Sequence, residues 1–152
     1  MTYTTAEGRQ QLLDTLAHAT EELGAALANL GEAYEQLDEN NAERLEQELF
    51  RPLQMAYGRA QRTYSEFAAR YSLPGQTFTQ GAPGAPSHGV KGFLEETAAA
   101  VSGADGELAE LQDSMLPIEV GDPELREGLA EVRRLIADVG VRSRELVRTF
   151  GR

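Results

Sequence analysis

The chain contains no cysteine and no tryptophan. The missing thiols exclude disulfide frameworks, iron–sulfur clusters, thiolate zinc sites, c-type haem attachment and cysteine nucleophiles together. Histidine is also scarce, with only His18 and His88. Ferritin-type di-iron bundles need two Glu-x-x-His pairs, so that chemistry is excluded too. Ser87 and His88 are adjacent, whereas the members of a Ser-His-Asp triad come from distant parts of a chain. No phosphate-binding glycine loop occurs, and the prolines of "GAPGAPSHG" remove amides that a phosphate cradle would use. No run approaches 18 apolar residues, so no membrane span is expected. The first 16 residues, "MTYTTAEGRQQLLDTL", lack a basic start followed by an apolar run, so no signal peptide is expected. A cytoplasmic location follows as the expectation, with signal-independent secretion left open. Lysine occurs once, at Lys91, against 13 arginines, the usage of a GC-rich bacterial genome.

The net charge is −11, which opposes binding to nucleic acid or anionic lipid. The 152 residues suit one domain, 1–152, large enough to bury a core unaided. Within it, strand alternation is nearly absent and heptad spacing is nearly continuous. Four seams emerge. The first is Leu13, Leu16, Thr20, Leu23, Leu27, Leu30, Tyr34, Leu37. The second is Phe50, Leu53, Tyr57, Ala60, Tyr64, Phe67, Tyr71. The third is Val90, Leu94, Thr97, Val101, Ala104, Leu108, Leu111, Met115. The fourth is Leu125, Leu129, Val132, Ile136, Val139, Ser143, Leu146, Phe150. They predict helices over about 5–39, 41–72, 89–116 and 123–150. Small residues flank the first seam, Gly24 and Gly31 on one side and Ala19, Ala26 and Ala33 on the other, as close helix contacts require.

The punctuation agrees with these bounds. Asn40 and Glu43 have capping-box spacing, and Asp122-Pro123 reads as an N-cap followed by a first-turn proline. "SGADGE" should distort the third helix, and a Pro/Gly-rich loop joins helices 2 and 3. Short connections at the other two joints predict an all-α, antiparallel up-down-up-down four-helix bundle with coiled-coil-like packing. Pro52 should kink helix 2, because it removes a hydrogen bond and crowds the carbonyl of Glu48. There the seam steps by four three times running, through Leu45, Leu49, Leu53 and Tyr57.

No catalytic residue, cofactor or metal is expected, and the chain is read as a non-enzyme. His18 has Asp14, Glu21 and Glu22 at helical spacing, which supplies at most half of a surface metal site. Tyr34-Glu-Gln-Leu-Asp38 fits the Tyr-x-x-x-Asp/Glu pattern of actinobacterial type VII secretion substrates, but their Trp-x-Gly turn is absent and no family follows. Charge carries the functional expectation. Residues 32–51 and 105–131 hold 16 acids and three arginines, while the remainder is net +2. Under the up-down-up-down order these form an acidic end and a basic, aromatic-rich end. The basic end offers Arg62, Arg70, Tyr71, Arg142, Arg144 and Arg148 to a protein partner or a second copy. The function expected is thus that of an adaptor, chaperone-like binder or oligomeric scaffold. The alternative is a small-molecule carrier with a slot along Tyr57, Tyr64 and Tyr71, whose phenols need partners if buried. A lipid-surface bundle comes third, opposed by the acidic charge.

Overall fold

The computed structural model describes residues 5–84, 89–120 and 122–150. Among these residues every regular element is helical: α1 (Thr5–Glu35), α2 (Glu39–Leu45), a π-helical turn (Glu46–Phe50), α3 (Arg51–Arg70), α4 (Gly89–Asp113), α5 (Leu116–Val120), α6 (Pro123–Ile136) and α7 (Val139–Phe150). None of these helices is long and apolar enough to cross a membrane.

The seams place the core. Leu13, Leu16, Leu23, Leu27 and Leu30 of α1 meet Leu53, Tyr57, Ala60, Tyr64 and Phe67 of α3, with Leu94, Val101 and Leu108 of α4 and Leu129, Val132 and Leu146 of α6 and α7. Some seam ends fall outside it, with Tyr34 41% and Met115 58% exposed. Around Pro52 the backbone widens. Arg51 donates its N–H to the carbonyl of Glu46, five residues back. The π-turn absorbs one extra residue, which accounts for the successive four-residue steps. Leu45, Leu49, Leu53 and Tyr57 all remain buried across it.

The chain order differs from the up-down-up-down expectation. Along α1, His18 meets Glu107 at 2.6 Å, while Ala26 accepts a hydrogen bond from Thr97 at 3.4 Å. As α1 advances, α4 retreats, so helices 1 and 3 of the expected bundle are antiparallel neighbours. Arg9 lies over the Tyr71 ring at 3.9 Å and Tyr34 meets Phe50 at 6.4 Å, so α1 and α3 are antiparallel as well. Thr63 faces Gly128, and Arg70 binds Asp122 at 2.9 and 3.0 Å, which sets α6 antiparallel to α3. Arg133 reaches Asp105 at 2.9 Å and Gln112 at 2.8 Å across the α4–α6 contact. The order is therefore up-down-down-up.

The loop after α3 makes this possible. An extended chain covers up to about 3.3–3.6 Å per residue, enough to return along the bundle. Gln76 donates to Glu21 at 3.0 Å, the backbone of Thr79 and Gln80 passes over Gly24, and the Gly84 N–H donates to Asn29 at 2.9 Å. Residues 73–84 thus climb alongside α1 before α4 begins; His88 and the rest of 85–88 lie outside the described residues.

Smaller expectations also change. α1 ends at Glu35, and Asp38, not Asn40, caps α2 by accepting from the Asn41 N–H at 3.1 Å. α4 runs unbroken through "SGADGE", α5 forms a separate turn, and the fourth helix divides at Ala137–Asp138. Of the two flanking glycines only Gly24 marks a close approach, to the Tyr57 ring and the loop; a Cβ at Gly31 would touch nothing.

Candidate functional site

The six residues expected to share one basic end do not meet. Arg70 and Tyr71, at the end of α3, close on the start of α6. Asp122 accepts from both the Leu125 N–H at 2.8 Å and the Arg70 guanidinium, and the Tyr71 phenol adds a further bond. Burial pushes the Asp122 carboxyl up, but these donors outweigh it and leave it below its usual value. Arg62 acts on Glu131 of α6 together with Arg134 and Arg59. Arg142, Arg144 and Arg148 are exposed on α7, toward the opposite end. Arg142 lines a cleft with Gln47, Glu48 and Pro52, so α7 shares its end with the acids of α2 and the π-turn. The segregation of charge into two ends depended on a helix order that the chain does not have.

The tyrosine column lies under the crossover loop. Phe78 packs edge-on against Tyr64 at 4.9 Å, and Tyr57 sits against Gly24 just below Thr79 and Gln80. Phe78, Thr79 and Gln80 of the loop thus lie over Tyr64 and Tyr57. Burial pushes both phenols up, and the Tyr57 hydroxyl has no hydrogen-bond partner.

Polar side chains converge instead on the α1–α4 contact. His18 and Glu22 lie one turn apart on α1, and Gly103 and Glu107 lie one turn apart on α4. The His18 Nδ1 is 2.6 Å from Glu107 Oε1 and 3.2 Å from Glu22 Oε1. Gly103 creates the space: a Cβ there would overlap the Glu22 carboxylate, which leans over the α4 backbone. Burial, then hydrogen bonding to and repulsion by Glu107, push the Glu22 carboxyl up to about 7, against an opposing pull from His18. The hydrogen bond to Glu107 and its charge raise the His18 imidazole. Glu22 Oε1 and Glu107 Oε2 are buried without a well-aligned donor of their own. One ligand-type atom from each of the three residues lies within 4.8 Å of the others. The sequence showed only the α1 half of this cluster; its completion requires the antiparallel α1–α4 register.

Glu107 also borders an open cleft of about 420 Å³. Gln11 and Thr15 of α1 form one wall, Glu107 and Glu110 of α4 the other, with Met115 and Glu119 beyond. α5 closes its end by resting on Gly8, where Leu116 and Val120 lie 3.5 and 3.7 Å from the position of a Cβ. Among the described residues no basic side chain lines the cleft.

Comparison with known proteins leaves these residues to speak for themselves. No family model, no curated protein and no solved structure matches the chain.

Proposed function

We propose that this chain is a non-enzymatic interaction protein, an antiparallel four-helix bundle with coiled-coil-like seams. Its recognition surface is the acidic cleft between α1, α4 and α5, and its partner is a basic, partly apolar protein segment. The cleft carries this reading: Glu107, Glu110 and Glu119 surround it, with no basic side chain among the described residues that line it. Complementary charge steers and orients such a partner. Met115, 58% exposed, lines the cleft and offers an apolar anchor beside the carboxylates. Methionine is enriched in the desolvated centres of interfaces. An adaptor or chaperone-like binder would use this surface for a second protein; a scaffold would use it for another copy.

A labelled synthetic peptide of alternating arginine and leucine tests the proposal by fluorescence anisotropy. Binding should be saturable, weaken with salt, and fall at least about tenfold in the double variant Glu110→Arg, Glu119→Arg. Unchanged affinity in that variant would remove the cleft from the proposal. Sedimentation of the protein alone distinguishes a second copy as the occupant.

A further inference from the structure

We propose that His18, Glu22 and Glu107 form a binding site for a divalent transition-metal ion of the zinc class, bridging α1 and α4. The proposal does not depend on the cleft's taking a protein partner. Imidazole nitrogen with two carboxylate oxygens is a borderline donor set, which suits Zn2+ and Co2+ better than the all-oxygen ions Mg2+ and Ca2+.

Spacing supports this choice. Zinc bonds of about 2.0 Å hold tetrahedral ligand atoms about 3.3 Å apart. The His18 Nδ1 and Glu22 Oε1 already stand 3.2 Å apart. Glu107 Oε1, now 2.6 Å from the imidazole, has to withdraw by roughly 0.7 Å to reach that spacing. The ring is free to adjust, because the His18 side chain is 64% exposed.

Two further observations point the same way. The oxygens Glu22 Oε1 and Glu107 Oε2 are withdrawn from water without a well-aligned donor of their own, and an ion that displaces the proton the two carboxyls share would find both acceptors in place. Gly103 clears the position that the Glu22 carboxylate occupies, although glycine is a poor helix residue. Three protein ligands leave a fourth tetrahedral position for water. Glu107 belongs to both the cluster and the cleft wall, so a bound ion would add positive charge at the edge of the acidic cleft.

The test uses the chelator-treated 152-residue chain, titrated with zinc chloride by calorimetry and with cobalt chloride by visible absorption. One ion per chain should bind, and cobalt should give the intense visible bands of a four-coordinate site. His18→Ala and Glu107→Gln should each weaken binding at least about tenfold, while Glu110→Gln leaves it unchanged. Glu22→Gln serves as the third ligand test if circular dichroism shows that either variant loses helix. The cleft variant Glu110→Arg, Glu119→Arg should still take up the ion, which separates this site from the peptide surface. Absence of saturable binding would overturn the proposal. So would equal affinity in the ligand variants, because the ion would then sit elsewhere on the acidic surface.

Discussion

Arg70, at the end of α3, holds Asp122, at the start of α6, through both carboxylate oxygens at 2.9 and 3.0 Å. The same carboxylate caps α6 at the Leu125 N–H. Asp122 is 3% exposed and the Arg70 side chain 29%, so this ion pair is only partly screened. Asp122→Ala should cost about 2 kcal/mol in urea unfolding, because it removes an N-cap and leaves the Arg70 guanidinium with Glu124 alone, at 2.9 Å. Asp122→Asn keeps the cap acceptor and should cost less. The Asp122 carboxyl lies below its usual value, so its stabilisation is fully present above the unfolded-state value. It is lost as pH falls through the lower folded value. Equal stability of the two variants would deny the cap any weight, and an Asp122→Asn variant as stable as the parent would deny the Arg70 charge pairing any.

Ser72 takes a left-handed backbone with φ of 54°. It ends α3 in a Schellman arrangement, with the Leu73 N–H bonded to Ala68 at 2.8 Å and the Ser72 N–H to Ala69 at 3.3 Å. Ser72→Gly should raise stability by about 0.5–1 kcal/mol, since glycine has no Cβ to strain there. A loss of stability in thermal melts would refute this account of the helix end.

Three glycines separate by what surrounds them. A Cβ at Gly128 would overlap the β-branched side chain of Thr63 across the α3–α6 contact. Gly128→Ala should therefore destabilise by about 1–3 kcal/mol, despite the better helix propensity of alanine. Gly31→Ala meets no atom within 4 Å and should gain up to about 1 kcal/mol. Gly103→Ala displaces only the flexible end of Glu22, so it should change metal-free stability little while weakening zinc binding. Chemical denaturation orders the three; a destabilised Gly31→Ala with an unaffected Gly128→Ala would contradict the packing.

The cluster should also make stability depend on pH in metal-free protein. The Glu22 carboxyl stands at about 7 when folded, above its unfolded value, so the folded state holds the extra proton between the two. Stability from this group falls as pH rises through that window. His18 acts in the same direction: its raised value stabilises below the unfolded value, and this is lost as pH rises through the folded one. Melting temperature with chelator present should fall from pH 5 toward pH 8, on a scale of about one proton, and the slope should flatten in Glu22→Gln. An unflattened slope in that variant would assign the dependence elsewhere.

Tyr57 buries a hydroxyl without a partner. Tyr57→Phe should be neutral or stabilising by about 1 kcal/mol, because it removes the cost of desolvating that group. A clear loss of stability would mean that the hydroxyl makes a bond the fold depends on.

Helical class and much of the core were legible in the sequence because spacing is a local property. Leu23, Leu27 and Leu30 had to share a face whatever they packed against. The Asp122 cap was legible for the same reason, since Asp-Pro before an apolar helix leaves the N-cap little alternative. The widened turn left a trace in the four-residue steps through Leu49 and Leu53. Helix order was not legible. A seam specifies that a helix is buried, not which neighbour buries it, and the loop after Leu73 is long enough for either order. The grouping of charges drawn from the order changed with it: Arg70 was placed with Arg148, whereas Arg70 closes on the start of α6 and Arg148 lies on α7 toward the other end. The break after Ile136 was hidden because Ile136 and Val139 keep their seam spacing and both remain buried. The cap at Asp38 was missed because the box spacing of Asn40 and Glu43 offered a second start two residues later.

The crossover also divides the chain into two complementary halves. Residues 5–70 form one helical hairpin and residues 89–150 another, and each presents an open apolar face that the other covers. Hairpins assemble from nearby segments, whereas the α1–α4 and α3–α6 contacts join distant ones and carry the larger cost of closing a loop. Docking of two preformed hairpins is then the slow event in folding. A chain cut at Gly81, exposed and with open space around it, should yield fragments that remain associated and reassemble after dilution from urea, each serving as the template for the other.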